Sequence, residues 1–215
     1  MPQDGRGELE SRGAVAAVAL LDAETNAMVV GPGLGQSPGA VAVVSSLLSA
    51  EGPPLVLDAD AIHIAAGLDM ASGWSRQVVL TPHPGEFEVL ARAMKLTVPN
   101  SDDASRREAA AAMASQLNTV IVLKGHGTVV ASGSDVWTSD QGGVELAIPG
   151  SGDVLTGVLV GILAQLAGSG KPVDVAAAAR LAVTTHARAG ACWRREGGTR
   201  GLLAEELADR IGLCP

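Results

Sequence analysis

Tyrosine is absent from this sequence, phenylalanine occurs once and tryptophan three times, so aromatic residues make up only 2% of the 215 positions. That scarcity excludes a basic stripe with interleaved aromatics, and nucleic acid is not expected as a partner. Charge points the same way: 15 Lys and Arg against 23 Asp and Glu leave a net −8. The cluster Arg194, Arg195 and Arg200 reads as a solvated helix end. Cysteine is as scarce. Cys192 and Cys214 are too few and too late in the chain for a disulfide framework or a zinc site, which makes a reducing cytoplasm the expected setting. The opening "MPQDGRGELE" is polar and acidic, unlike a signal or transit peptide. Long apolar runs are missing too. Residues 154–167 form the most apolar stretch, shorter than the roughly 20 residues of a membrane helix. It reads as a buried helix, and no membrane partner is expected.

What is present is aliphatic. Hydrophobic residues reach 47%, so the core must be built from Ala, Val, Leu and Ile. The 27 glycines and 11 prolines punctuate recurrent apolar runs, as in a domain with many short turns. "AMVVG" (27–31), "PLVLDAD" (54–60), "QVVLTP" (77–82) and "TVIVLKG" (119–125) have strand length and end at Gly, Pro or Asp. Helical segments lie between them at 37–50, 59–66, 84–95 and 102–117, the last capped by Ser101 or Asp102. "GTVVAS" and "DVWTS" flank Gly133 as a small hairpin. From 153 the chain turns helical, at 153–167, 172–193 and 202–211. The alternation predicts an α/β class with a mainly parallel sheet between helical layers.

The polar motifs all fall where a strand has just ended, the edge at which open parallel sheets bind ligands. "GPGLG" (31–35) is either a close-approach loop for a flat ligand or a plain turn. In "DADA", Asp58 and Asp60 lie near a metal or nucleotide, or Asp60 is a helix N-cap. "TPHPGE" fixes His83 between two prolines, to contact a polar ligand or merely to pin a turn. "LKGHGT" carries Lys124, Gly125, His126, Gly127 and Thr128, a phosphate loop or a hairpin with a solvated lysine. "GSGD" sets Gly150, Ser151 and Gly152 before Asp153 at a helix start. That is an anion site beside a catalytic carboxylate, or a capping turn. His186, mid-helix, reads as a packed, hydrogen-bonded residue. Residues 31–35, 83, 124–128 and 150–153 are expected to line one cleft.

Taken in order, "GPGLG", "DADA", "TPHPGE", "LKGHGT" and "GSGDVLTG" resemble the ADP/ATP-dependent NAD(P)H-hydrate dehydratases, often the C-terminal half of a bifunctional repair protein. The resemblance runs from about Gly31 to the end and implies a three-layer α/β/α ribokinase-like domain spanning residues 1–215. It implies dehydration of (S)-NAD(P)H-hydrate by phosphorylating the hydrate hydroxyl from ADP or ATP and then eliminating phosphate. On that resemblance Asp153 is the base, and Gly150, Ser151 and Gly152 form the hole for the transferring phosphate. Lys124 to Thr128 hold the adenine nucleotide, while Gly33, His83 and Asp153 meet the hydrated dinucleotide. Mg²⁺ is implied, with no protein ligand identified, and so is a homo-oligomer. The family's upstream strand and helix have no counterpart in this sequence, which predicts a shortened domain with an exposed or re-paired sheet edge. "DQGGVELAIPGSGD" departs from the family pattern, with Val144 and Glu145 altering a loop over the nucleotide. The alternatives are a ribokinase-like small-molecule kinase and a non-catalytic nucleotide-binding relative.

Overall fold

Apolar runs without alternation suit strands buried on both faces, and the central strands have that character. The computed structural model describes residues 24–70 and 73–213. Strands β1 (Met28–Val30), β2 (Leu55–Leu57), β3 (Val78–Leu80) and β4 (Val120–Leu123) pair in parallel. β5 (Val129–Ser132) and β6 (Asp135–Thr138) join antiparallel, giving a six-stranded sheet whose order follows the chain. The hairpin therefore sits where Gly133 placed it. Every residue of β2, β3 and β4 is buried.

Parallel neighbours need crossovers, and helices supply them. α1 (Pro38–Ser49) joins β1 to β2, and α2 (Asp60–Ala66) joins β2 to β3. α3 (Pro84–Ala93) and α4 (Asp103–Leu117) lie between β3 and β4. After a 3₁₀ turn at Val144–Leu146 come α5 (Ser151–Gly168), α6 (Val175–Arg195) and the short α7 (Ala204–Asp209). Caps set several starts: Ser37, Asp102 and Asp174 each accept a backbone N–H from the first turn they precede. Asp102, rather than Ser101, caps α4.

The two-residue period of the strands divides the core. Leu55, Leu57, Leu80, Ile121 and Leu123 pack with the apolar sides of α1 to α4. Val56, Val79, Val120, Val122 and Val130 meet Leu155, Leu159 and Leu163 of α5 and the alanines of α6. The result is the expected three-layer α/β/α arrangement. α5 differs in one respect from a helix buried all round. It is predominantly apolar over its 18 residues, yet only one side is buried, and Gly157 and Leu166 are exposed. β1 forms an edge of the sheet, pairing among the described residues with β2 alone.

Candidate active site

Because β1 to β4 are adjacent and parallel, their carboxyl ends share one edge, and the four strand-end motifs meet there. Asp58 follows β2 and is buried at 1% exposure. Its Oδ1 accepts from the Thr81 hydroxyl and the Lys124 ammonium, both at 2.8 Å, and its Oδ2 accepts from Thr156 of α5 at 2.9 Å. One carboxylate thus ties β2, the segments after β3 and β4, and α5 together. Lys124 also lies 3.8 Å from Glu86, and its side chain is 18% exposed. It is neither solvated nor a free point charge, because Asp58 already compensates it. Asp60 is not the N-cap of α2. Ala59 occupies that position without a side-chain bond, while the Asp60 carboxylate accepts from Gly35 N at 2.8 Å and orders the "GPGLG" loop.

His83 is the N-cap of α3. Its Nδ1 accepts from the N–H groups of Gly85 and Glu86, at 3.0 and 3.2 Å, and the Glu86 carboxylate accepts from His83 N at 2.7 Å. Pro84 follows at the first helical position, so both prolines and a reciprocal capping box fix the turn. Accepting at Nδ1 leaves the ring proton on Nε2 in the neutral imidazole. The ring remains half exposed, at 55%, and lines the cavity described below. The pinned turn and an imidazole that lines the cavity coexist, with Nε2 3.4 Å from the Glu86 carboxylate.

α5 begins at Gly150, whose φ of +81° is left-handed backbone and which offers no side-chain cap. Asp153 sits in the first turn, exposed, with no hydrogen bond or ion pair to any described residue. The capping explanation for this carboxylate is thereby removed. Ser151 is buried, and His186 of α6 places Nε2 3.0 Å from its carbonyl and 3.1 Å from its hydroxyl. The carbonyl can only accept, which puts the proton on Nε2. Burial pushes the His186 pKa down to about 4, opposed by that hydrogen bond. His186 is the packed, bonded residue its helical position suggested.

A cavity of about 440 Å³ opens beside these elements, within the range of small-molecule sites. His83, Lys124, Gly125, His126, Gly127, Thr128, Ser151 and Gly152 all line it. Gly33, Gly150 and Asp153 do not, which corrects the expectation of one cleft containing every motif. Gly33 stays in the open loop after β1, and Asp153 is an exposed residue directly after Gly152 of the cavity wall. The strand ends bring the motifs to one edge, but the walls they form are not all shared.

Most of residues 141–148, including Val144, Leu146 and Ile148, supply more of the wall, and Leu155 of α5 with Val183, His186 and Ala187 of α6 complete it. Val144 is 80% exposed at the rim, and buried Glu145 lies 3.6 Å from Arg194. The departure at Val144 and Glu145 does fall on a loop over the cavity. Sequence reasoning missed Arg106, buried at 8% in the first turn of α4. Its guanidinium donates to the carbonyls of His126 at 2.5 Å and Gly127 at 3.0 Å. It also reaches those of Leu123 and Lys124, both at 3.4 Å. "SDDASRRE" reads as a charged, solvated helix start, and nothing in it signals a returning loop.

Among the described residues no group of three or more His, Cys, Asp or Glu is arranged to hold a metal. Asp58, Asp60 and Glu86 are engaged with protein donors, leaving Asp153 as the free carboxylate of the motifs. That donor set suits a Mg²⁺ held chiefly by nucleotide phosphates and water, as this ion commonly is.

The layers, strand order and site at the carboxyl edge define a ribokinase-like α/β domain. Hydroxyethylthiazole kinase from Pyrococcus horikoshii superposes with a TM-score of 0.65, covering 94% of this chain and 75% of that one at 16% identity, a likeness of fold alone. Residues 8–212 match the family model for NAD(P)H-hydrate dehydratase, and the chain belongs to that family. The match reaches upstream of Gly31, where the motifs had placed its start. The chain is 36% identical over 214 residues to the bifunctional NAD(P)H-hydrate repair enzyme of Thermanaerovibrio acidaminovorans, covering 99% of itself and 40% of that protein. It thus spans two fifths of that relative's length. The ADP/ATP-dependent NAD(P)H-hydrate dehydratase of Bacillus subtilis, crystallised with ATP and Mg²⁺, superposes with a TM-score of 0.73 at 35% identity. That match covers 93% of this chain and 67% of that one.

Proposed function

We propose that this protein restores hydrated NADH or NADPH by an ADP- or ATP-dependent dehydration, acting as a hydro-lyase. The reading treats residues 1–215 as one dehydratase domain. One observation carries it: the "LKGHGT" loop, His83 and the first turn of α5 wall a single cavity beside an unpaired carboxylate, Asp153.

Hydroxide is a poor leaving group, so the hydrate hydroxyl is first phosphorylated. Asp153 takes the hydroxyl proton as its oxygen attacks the terminal phosphorus of the nucleotide. The bond to the departing ADP or AMP oxygen then breaks. Gly150, Ser151 and Gly152 present the amino end of α5 to the transferring phosphoryl group, where fixed donors stabilise developing charge. Phosphate then leaves with the C–O bond pair, the neighbouring ring carbon gives up its proton to water or to the departing phosphate, and the freed C–H pair re-forms the ring double bond. Lys124 to Thr128 hold the adenine nucleotide. Gly33 and His83 meet the hydrated dinucleotide, His83 as an Nε2–H donor. Mg²⁺ bound with the nucleotide supplies charge neutralisation. A homo-oligomer and a cytoplasmic setting complete the proposal, to be read by light scattering and by cell fractionation.

The test is incubation of purified protein with hydrated NADH and ADP or ATP. Return of the near-ultraviolet absorbance of the reduced nicotinamide, dependent on nucleotide, is the expected result. Nucleotide consumption only on another alcohol would make the protein a kinase. Binding without any turnover would make it a non-catalytic relative.

A further inference from the structure

The segment from Leu123 to Thr128 is divided by polarity. Every one of its six carbonyls has a donor within the protein. Arg106 reaches four of them, the Thr128 hydroxyl bonds Gly125 O at 3.1 Å, and Ser139 N bonds Thr128 O at 2.9 Å. The amides behave differently. Lys124 N is tied to Pro82 O at 2.8 Å, but the N–H groups of Gly125, His126, Gly127 and Thr128 make no hydrogen bond to any described residue. Those four residues line the cavity. A backbone stretch with four carbonyls gathered on one buried guanidinium leaves N–H groups free to face away from it, the arrangement that holds anions in backbone nests.

We propose that Arg106 is a positioning residue: by gathering the carbonyls of Leu123, Lys124, His126 and Gly127 it turns the N–H groups of 125–128 toward the cavity, where they bind nucleotide phosphate. The guanidinium suits the task because it carries five donors in a planar fork, and four carbonyls at separate angles exceed the reach of an ammonium. Its charge has only a loose carboxylate partner, Asp103 at 3.7 Å, whose side chain is 76% exposed. The positive charge is therefore left behind the loop, adding to the field felt by a phosphate in front of it. This also settles what Lys124 alone does not provide, since Asp58 already compensates its ammonium.

The proposal rests on the nucleotide site assigned above, and the test separates the two. ADP and ATP affinities are measured by calorimetry for the wild type, Arg106→Met and Arg106→Lys, with melting temperatures, and KM values for nucleotide and for hydrated dinucleotide are taken where turnover is present. Met keeps the length and loses the donors, so the nucleotide Kd should rise about 10- to 100-fold, as for lost charged hydrogen bonds. Lys should recover part of that loss, and the KM for hydrated dinucleotide should move much less than that for nucleotide. A folded Met variant with wild-type nucleotide affinity overturns the proposal, as does an equal weakening of both substrates that tracks the fall in melting temperature. If the Met variant fails to fold, the Lys variant decides: several-fold weaker nucleotide binding supports the role, and wild-type affinity overturns it. A wild type that binds neither nucleotide overturns both proposals. A wild type that binds nucleotide without turnover overturns the dehydratase reading alone, and the Kd series still judges Arg106.

Discussion

Asp153 and His186 stand close together in the fold and are set by opposite environments. Asp153 is exposed, in the first turn of α5, where a negative charge gains from the helix dipole. Asp153→Asn should therefore lower stability by at most about 1 kcal/mol, while turnover falls roughly 10²- to 10⁴-fold, the usual contribution of a positioned base. Nucleotide affinity should hold or rise. Steady-state kinetics beside calorimetry reads both, and wild-type turnover in the Asn variant would remove Asp153 from the chemistry. His186 is buried, and its pKa falls from an ordinary 6.5 to about 4. Between those values the unfolded chain takes up a proton that the native ring refuses. Stability should then decline as pH drops from about 6.5 to about 4, by up to roughly 3 kcal/mol, and stay level above that window. Urea unfolding of His186→Gln should lack this slope. At this scale the placement of His83, Asp153 and the loop residues at strand ends and a helix start was legible, because their motifs are local. Arg106 and the Asp58 cluster were not legible. Their partners lie on other elements, and a charged residue in isolation looks the same whether solvated or bonded.

Elements were legible where their signals are internal. β2, β3 and β4 are short aliphatic runs stopped by polar motifs, and each was located within a residue or three of its observed ends. The start of α3 was marked by "HPGE", which carries its own capping box. α2 was less transparent. Asp60 looks like a cap, but Ala59 at φ +48° takes that position because Asp60 is drawn to the amide of Gly35. The turn out of β1 is the tightest junction in the fold. A methyl on Gly31, whose φ is +133°, would stand 1.7 Å from the carbonyl oxygen of Asp58. Gly31→Ala should cost about 4 kcal/mol or more, combining backbone strain with a clash that neither strand can relieve. Thermal melts should show a large loss, whereas Gly33→Ala, with open space around the added atom, should cost only the strain of its φ of +66°, roughly 1–2 kcal/mol, and leave β1 in place.

Across the whole molecule, the buried carboxylate of Asp58 joins more elements than any apolar contact in the site, reaching Thr81, Lys124 and Thr156. Removing it strands an ammonium. Asp58→Ala should destabilise by about 3–5 kcal/mol, and pairing it with Lys124→Met should return part of that loss, since an unpaired buried charge costs more than none. Denaturant titrations of the two single variants and the double variant measure the coupling. The layer architecture itself was legible, because strand–helix alternation and strand-end polarity both report on parallel pairing. Which of the motif residues line the cavity and which lie beside it was not, since sequence places residues at an edge without saying which surfaces they share. The strand order has one more consequence. Each strand pairs with the one made just before it, so the sheet can extend as the chain leaves the ribosome, and α1 to α4 cover one side as it grows. The other side, with Val56, Val79, Val120, Val122 and Val130, waits for α5 and α6, which are made after the whole sheet. At about 5–20 residues per second, a sticky valine surface stays bare for several seconds of every synthesis, the interval in which the nascent chain is most open to aggregation.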